Sequence, residues 1–168
     1  MTPAAADAMH LLVAAALTYA LGFERDLRGA TAGDRVFALI GVGTGIVGVL
    51  AAHGAPTALQ GALTGIGFIG AGLVFRQQQG HLQLIRGLTT AAAIFATAAI
   101  GAAAGEGRLL VAGAATGIAL LVLEVRYIPV LRMLDGRRWA SRFHNDEWPT
   151  RPGAAAADDP HHEAGGER

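Results

Sequence analysis

Polar and apolar positions along this chain fall into long blocks instead of alternating. No charged residue occurs between Arg35 and Arg76, and none between Arg86 and Glu106. The apolar blocks cover 8–23, 36–52, 55–75, 87–105 and 109–123. A span of the hydrocarbon core takes roughly 20 mostly apolar residues, and the blocks approach that length. The first extends back through 2–6, and the last runs on toward Tyr127 before Pro129. The pattern predicts an all-helical fold, a polytopic membrane bundle of about five transmembrane helices. At its centre, 61–104 holds two apolar segments joined by a polar loop, 76–86. Tight turns are marked by Gly54 and Pro56 and by Gly105 and Gly107, residues that punctuate regular structure.

Domain organisation follows from the same pattern. Residues 1–128 form the membrane domain. Residues 129–148 alternate arginine with Trp139 and Phe143 and are expected to lie on the membrane surface. Residues 149–168 are rich in Pro, Ala, Gly and acids, so they offer no core and are expected to be a disordered tail. The first eight residues carry Asp7 and no basic residue, unlike a secretory signal peptide.

Composition agrees with a membrane chain. Hydrophobic residues make up 52% and charged residues 15%, against roughly 25% charged in a soluble domain. There is no cysteine, which excludes disulfides and thiolate metal sites. All 13 basic residues are arginine, and formal net charge is zero. Their placement is lopsided. Arg25, Arg28, Arg35, Arg76, Arg86, Arg126, Arg132, Arg137, Arg138 and Arg142 share one side of a five-span topology, and Arg108 stands on the other. The positive-inside rule then puts the N-terminus outside and the C-terminus in the cytoplasm of a bacterial plasma membrane. The pair Arg137 and Arg138 suits anionic lipid head groups better than nucleic acid.

Glycines are the main motif. Gly65, Gly67 and Gly70 match a G-x-G-x-x-G fingerprint, as do Gly43, Gly45 and Gly48. Neither follows a strand or precedes an acidic residue at the dinucleotide spacing, so both point to helix packing. The positions expected at helix contacts are Gly65, Gly67, Gly70 and Gly72. Gly41 and Gly45, Gly61 and Gly65, Gly101 and Gly105, and Gly113 and Gly117 form G-x-x-x-G pairs. Such pairs bring backbones together within a bundle or between copies, which leaves a homo-oligomer open.

Chemistry-bearing residues are few. The histidines are scattered without zinc spacing, and there is no P-loop, Ser/His/Asp set or carboxylate pair. An enzyme, a metal site and a cofactor are therefore not expected. Glu24 and Arg25 end the first block, a depth at which charges are costly and tend to be paired. They serve either as a boundary marker or as part of a cytoplasmic-face site with Asp34, Arg35, Arg86, Thr89 and Thr90. Thr89 and Thr90 also suit a plain capping role at a helix start.

Several ordered blocks resemble the MgtC/SapB membrane proteins. They are Gly22, Phe23, Glu24 and Arg25 with Gly29; Ala32 to Arg35; Gly65 to Gly72; Arg86 to Ala92; and Ala98 to Gly101. The likeness covers roughly 8–128. It departs at Val36, where the family pattern usually has Thr, and at Phe95, where it often has Trp. MgtC-type members carry a folded soluble domain after the last span, whereas about 40 residues follow here, so the chain is nearer the short, SapB-like form. The resemblance implies an integral plasma-membrane protein, linked in some members to growth in low magnesium, intracellular survival and inhibition of the proton-driven ATP synthase. Two functions are carried forward. One is a regulatory or interaction protein whose cytoplasmic loops act on another membrane protein. The alternative is a transporter or channel for Mg2+ or another small cation.

Overall fold

A computed structural model describes residues 2–79 and 82–125, and the side chains of 75–86 are outside that description. The surface segment 129–148, the tail 149–168 and Arg126 lie outside the described residues. Five helices form in chain order: α1 Pro3–Leu27, α2 Asp34–Ala52, α3 Thr57–Gly72, α4 Leu88–Gly105 and α5 Leu109–Glu124. All belong to one compact unit, Met1–Glu124. Helices α1, α2 and α4 are long and apolar enough to cross a membrane. Helices α3 and α5 have 16 residues each, about 24 Å at 1.5 Å per residue.

The ends of the helices have local causes. Thr2 caps α1, its Oγ1 accepting from the Ala5 N–H, and Pro3 occupies the first turn, where a missing N–H costs nothing. Helix α1 runs past the apolar block to Leu27 because Glu24, Arg25 and Arg28 find partners described below. Asp34 opens α2, where a carboxylate complements the helix dipole.

One expectation is corrected. The stretch expected as a polar loop is an antiparallel hairpin, β1 Phe75–Gln79 and β2 Leu82–Arg86. Phe75 pairs with Arg86, Gln77 with Leu84 and Gln79 with Leu82. Its return to the bundle passes through Gly87, at φ +90°, which caps the start of α4. A side chain there would be strained at that φ, and its Cβ would lie 3.1 Å from the Leu73 carbonyl carbon. The remainder of the described chain is the helical bundle the apolar blocks predict.

The bundle is built the reverse of a soluble domain. Large apolar side chains face outward, with Phe68 84% and Leu110 88% exposed. Lipid is as apolar as leucine, so burial of such groups drives nothing here; close contact does. The interior is small: Ala14, Thr18, Thr44, Thr97, Ala98 and Ala104 are buried with Phe37, Leu21 and Ile94. Helices α1, α2 and α4 pack on one another, and the glycines of α2 contact both of the others. A Cβ on Gly41 would meet Thr18 Cβ at 2.6 Å. One on Gly101 would meet Gly41 Cα at 2.9 Å, and one on Gly105 would meet Gly45 Cα at 2.9 Å.

The glycines expected at contacts need correcting. Gly70 faces Ala91, with 3.7 Å between an added Cβ and the Ala91 Cβ, but Gly65, Gly67 and Gly72 have nothing within 4 Å. Gly61, Gly113 and Gly117 are equally open. The tight seam is formed by Gly41 and Gly45 against Gly101 and Gly105, with Gly48 against Ala102. The polar positions of α3, Thr57, Gln60 and Thr64, fall on its exposed side together with Gly61 and Gly65.

Four of the buried hydroxyls are consumed within their own helices. Thr18 donates to Ala14 O at 2.7 Å, and Thr44, Thr97 and Thr116 donate at 2.8 Å to Ile40, Ala93 and Ala112 carbonyls. Each returns to the residue four positions back.

Candidate functional site

The charged residues gather where α1 ends, α2 and α4 begin and α5 ends. Gly22 sets the spacing. An added Cβ there would lie 2.6 Å from Asp34 Cα and 2.7 Å from Phe37 Cβ. Only a residue with no side chain lets the start of α2 press against the last turns of α1. That approach carries Asp34 and Arg35 next to the Glu24 turn.

Glu24 is buried, its side chain 7% exposed. Arg25 Nη1 lies 3.7 Å from Glu24 Oε2, and Arg28 Nε lies 3.6 Å from Glu24 Oε1. These are ion pairs, not hydrogen bonds. Among the described residues neither Glu24 oxygen, nor the buried Arg25 Nε, has a hydrogen-bond partner. Arg28 also reaches α5, donating from Nη2 to both oxygens of Glu124 at 2.6 and 2.7 Å. Arg25 donates from Nη2 to Thr90 Oγ1 at 3.4 Å. One turn of α1 therefore ties down the start of α4 and the end of α5.

The expected cluster divides in two. Glu24, Arg25 and Thr90 meet in the inner part, joined by Arg28 and Glu124. Asp34 and Arg35 belong to an outer rim, where with Asp26, Gly33 and Val36 they line an open pocket of about 370 Å3. Thr89 turns away from both, into an apolar groove along α4. Arg86 ends β2, immediately before Gly87, and its side chain is outside the description. The Arg28–Glu124 link spans 96 positions. Sequence hinted at it only through Glu124 standing at the same membrane face.

Charge decides what the inner part can do. Glu24 and Glu124 are balanced by Arg25 and Arg28, so the set is neutral as it stands. Removing Glu24 would take the ion-pair partner from the largely shielded Arg25, the costly arrangement for buried ions, while Arg28 would keep Glu124. The Arg28–Glu124 pair is about one-third exposed, so solvent holds its worth to under about 1 kcal/mol. For a metal the donors are sparse. Among the described residues no three His, Asp or Glu side chains come together, while Mg2+ demands six oxygen ligands. Asp26 and Asp34 at the rim supply two carboxylates, enough to share a hydrated cation with a substrate or partner but not to enclose one.

The comparisons with known proteins agree with this architecture. The putative magnesium transporter YhiD of Escherichia coli K12 is 35% identical over 140 residues, covering 76% of this chain and 63% of that protein. Protein MgtC of Brucella abortus is 32% identical over 120 residues, 68% of this chain and 48% of its own length. Protein SrpB of Synechococcus elongatus is 32% identical over 113 residues, 58% and 62% respectively. The chain thus spans between about half and two-thirds of the curated relatives it matches. No solved structure matches it. A family model described as MgtC family matches residues 11–128, which takes in the bundle from the third turn of α1 onward. Family model and relatives together place the chain in the MgtC family of membrane proteins.

Proposed function

We propose that the chain is a regulatory protein of the bacterial plasma membrane, with its N-terminus outside and its C-terminus in the cytoplasm. It acts on another membrane protein through its charged cytoplasmic face, in cells limited for magnesium. The orientation rests on the ten arginines that one side carries against Arg108 on the other. The mode of action rests on the division of the charged cluster. Its buried part is neutral and internally paired, while Asp26, Asp34 and Arg35 are presented outward around an open pocket. Presented charges of both signs suit recognition of a complementary protein surface. The link to magnesium comes from the name of the E. coli relative.

That name also favours the second reading, transport of Mg2+ or another small cation, with the rim carboxylates as an entry point. One pair of variants and one assay separate the two. Glu24→Gln and Arg25→Gln keep shape while removing charge, and each is compared with wild type for membrane abundance and for growth in low magnesium. Variants that are abundant yet fail to restore growth support a functional face. Fully active variants would sink it. Purified chain in vesicles that moves Mg2+ at a rate abolished by Asp34→Asn would replace the regulatory reading with transport.

A further inference from the structure

The buried Glu24 carboxylate is under-served where it stands. Its side chain is 7% exposed, and among the described residues neither of its oxygens accepts a hydrogen bond. A shielded acceptor in that state has given up its bonds to water without replacing them. A donor is close at hand. Arg28 Nε lies 3.6 Å from Glu24 Oε1, against about 2.9 Å for a hydrogen bond. What holds the guanidinium back is α5. Arg28 Nη2 donates to both oxygens of Glu124, at 2.6 and 2.7 Å, so that nitrogen is not available to Glu24 in the same state. One guanidinium stands between two carboxylates on different helices and hydrogen-bonds only the outer one.

The two seats are within reach of each other. Glu24 and Arg28 are four positions apart on α1, with the acid on the N-terminal side, the favourable order for a helical ion pair. An inward shift of about 0.7 Å closes the Nε bond, and side-chain rotation alone supplies it. Glu24 is the more shielded seat, where a hydrogen bond is electrostatically stronger. Glu124 is 27% exposed, so solvent screens its pair, but it offers the guanidinium two short bonds at once. Neither seat commands Arg28 outright.

The seats differ in what they do to the fold. On Glu124, Arg28 ties the last turn of α5 to α1 across 96 positions of sequence. On Glu24 the pair closes within α1, and the last turn of α5 loses that tie. Ala112 and Thr116 are the buried residues of α5, so the body of the helix stays packed and release is confined to the end at Glu124. We propose that Arg28 is a two-position latch, holding the end of α5 through Glu124 in the state seen here and freeing it by turning to Glu24. The bundle stays assembled in both positions. The latch is independent of whether the rim binds a partner.

The test uses the isotopically labelled full chain in lipid nanodiscs and follows the Arg28 Nε–H signal by NMR, identified by its loss in Arg28→Lys. Glu124→Gln removes the outer seat. Arg28 should then move inward, and its Nε–H should exchange with water about tenfold more slowly than in wild type, the effect of one charge-assisted hydrogen bond. An arginine with a single seat would be released to solvent instead, and its Nε–H would exchange faster. The backbone amides of 121–124 should exchange up to about fivefold faster in Glu124→Gln. They should exchange more slowly than wild type in Glu24→Gln, where only the outer seat remains. The Nε–H comparison alters a part-exposed residue, so it decides the matter even where Glu24→Gln fails to fold. Faster or unchanged Nε–H exchange in Glu124→Gln, or wild-type amide exchange at the end of α5 in folded Glu24→Gln, would overturn the latch.

Discussion

Gly105→Ala and Gly65→Ala are the same chemical change placed in opposite surroundings. At Gly105 the added Cβ would lie 2.8 Å from the Gly45 carbonyl carbon and 2.9 Å from Gly45 Cα, whereas ordinary contact begins at 3.4 Å. The obstacle is backbone, with the Gly45 carbonyl oxygen nearer still, so no rotamer change relieves it and α2 and α4 must separate by about 1 Å. A gap of that size forfeits up to about half of the van der Waals well for each atom pair along the seam. Overpacking of this kind costs about 1–3 kcal/mol, offset by up to about 1 kcal/mol because alanine favours helix over glycine. The net expectation is a loss of about 1–2 kcal/mol. For a chain of this size that lowers Tm by about 3–8 °C. At Gly65 no atom lies within 4 Å, so only the helix-propensity gain remains and Tm should hold or rise. The assay is thermal unfolding of purified full-length chain in one mild detergent, with oligomeric state checked for each variant. Gly105→Ala at or above wild-type Tm would refute the seam, and so would an equal fall for Gly65→Ala without a change in oligomeric state.

Two further outcomes follow from geometry. With no native cysteine, single cysteines at Gly54 and Gly107 should react with an impermeant reagent outside intact cells, and one at Gly29 only after the membrane is opened; the reverse pattern would invert the topology. Glu124→Gln should lower stability by under about 1 kcal/mol because its pair with Arg28 is part-exposed, while Glu24→Ala should cost more, about 3 kcal/mol, by taking the ion-pair partner from the shielded Arg25, both read as chemical or thermal unfolding in detergent.

The helices were legible because lipid leaves the backbone no alternative: an uncharged run such as 36–52 must satisfy its own hydrogen bonds. Which glycines touch was not legible. Gly65 and Gly45 each follow a threonine, Thr64 exposed and Thr44 buried, so a polar position alone does not say which way a membrane helix is turned. The hairpin at 75–86 was hidden for a different reason. Arg76, Gln77, Gln78 and Gln79 lack the alternation of a half-buried strand, so only pairing with Leu82 to Arg86 reveals it. At the charged face, Glu24 and Arg25 stood out as costly charges at the end of a span. Thr90 was expected at the same face and meets Arg25 there, whereas the pairing of Glu124 with Arg28, 96 positions apart, comes from tertiary contact alone. Arg28 looked like one more topology-setting arginine until its carboxylates were located.

The buried threonines carry a consequence for how this bundle can change over generations. Thr18, Thr44, Thr97 and Thr116 each give their hydroxyl to a carbonyl of their own helix, so no neighbouring helix depends on it. Valine has nearly the same outline, and a drift from Thr97 to valine removes one internal bond while leaving every contact across the seam in place. Gly48, Gly101 and Gly105 have no such freedom, because their constraint is the distance between two backbones. Descendants of this chain are therefore free to vary the polarity of the interior but not its volume, and alanine or serine at those glycines should be the rarer event.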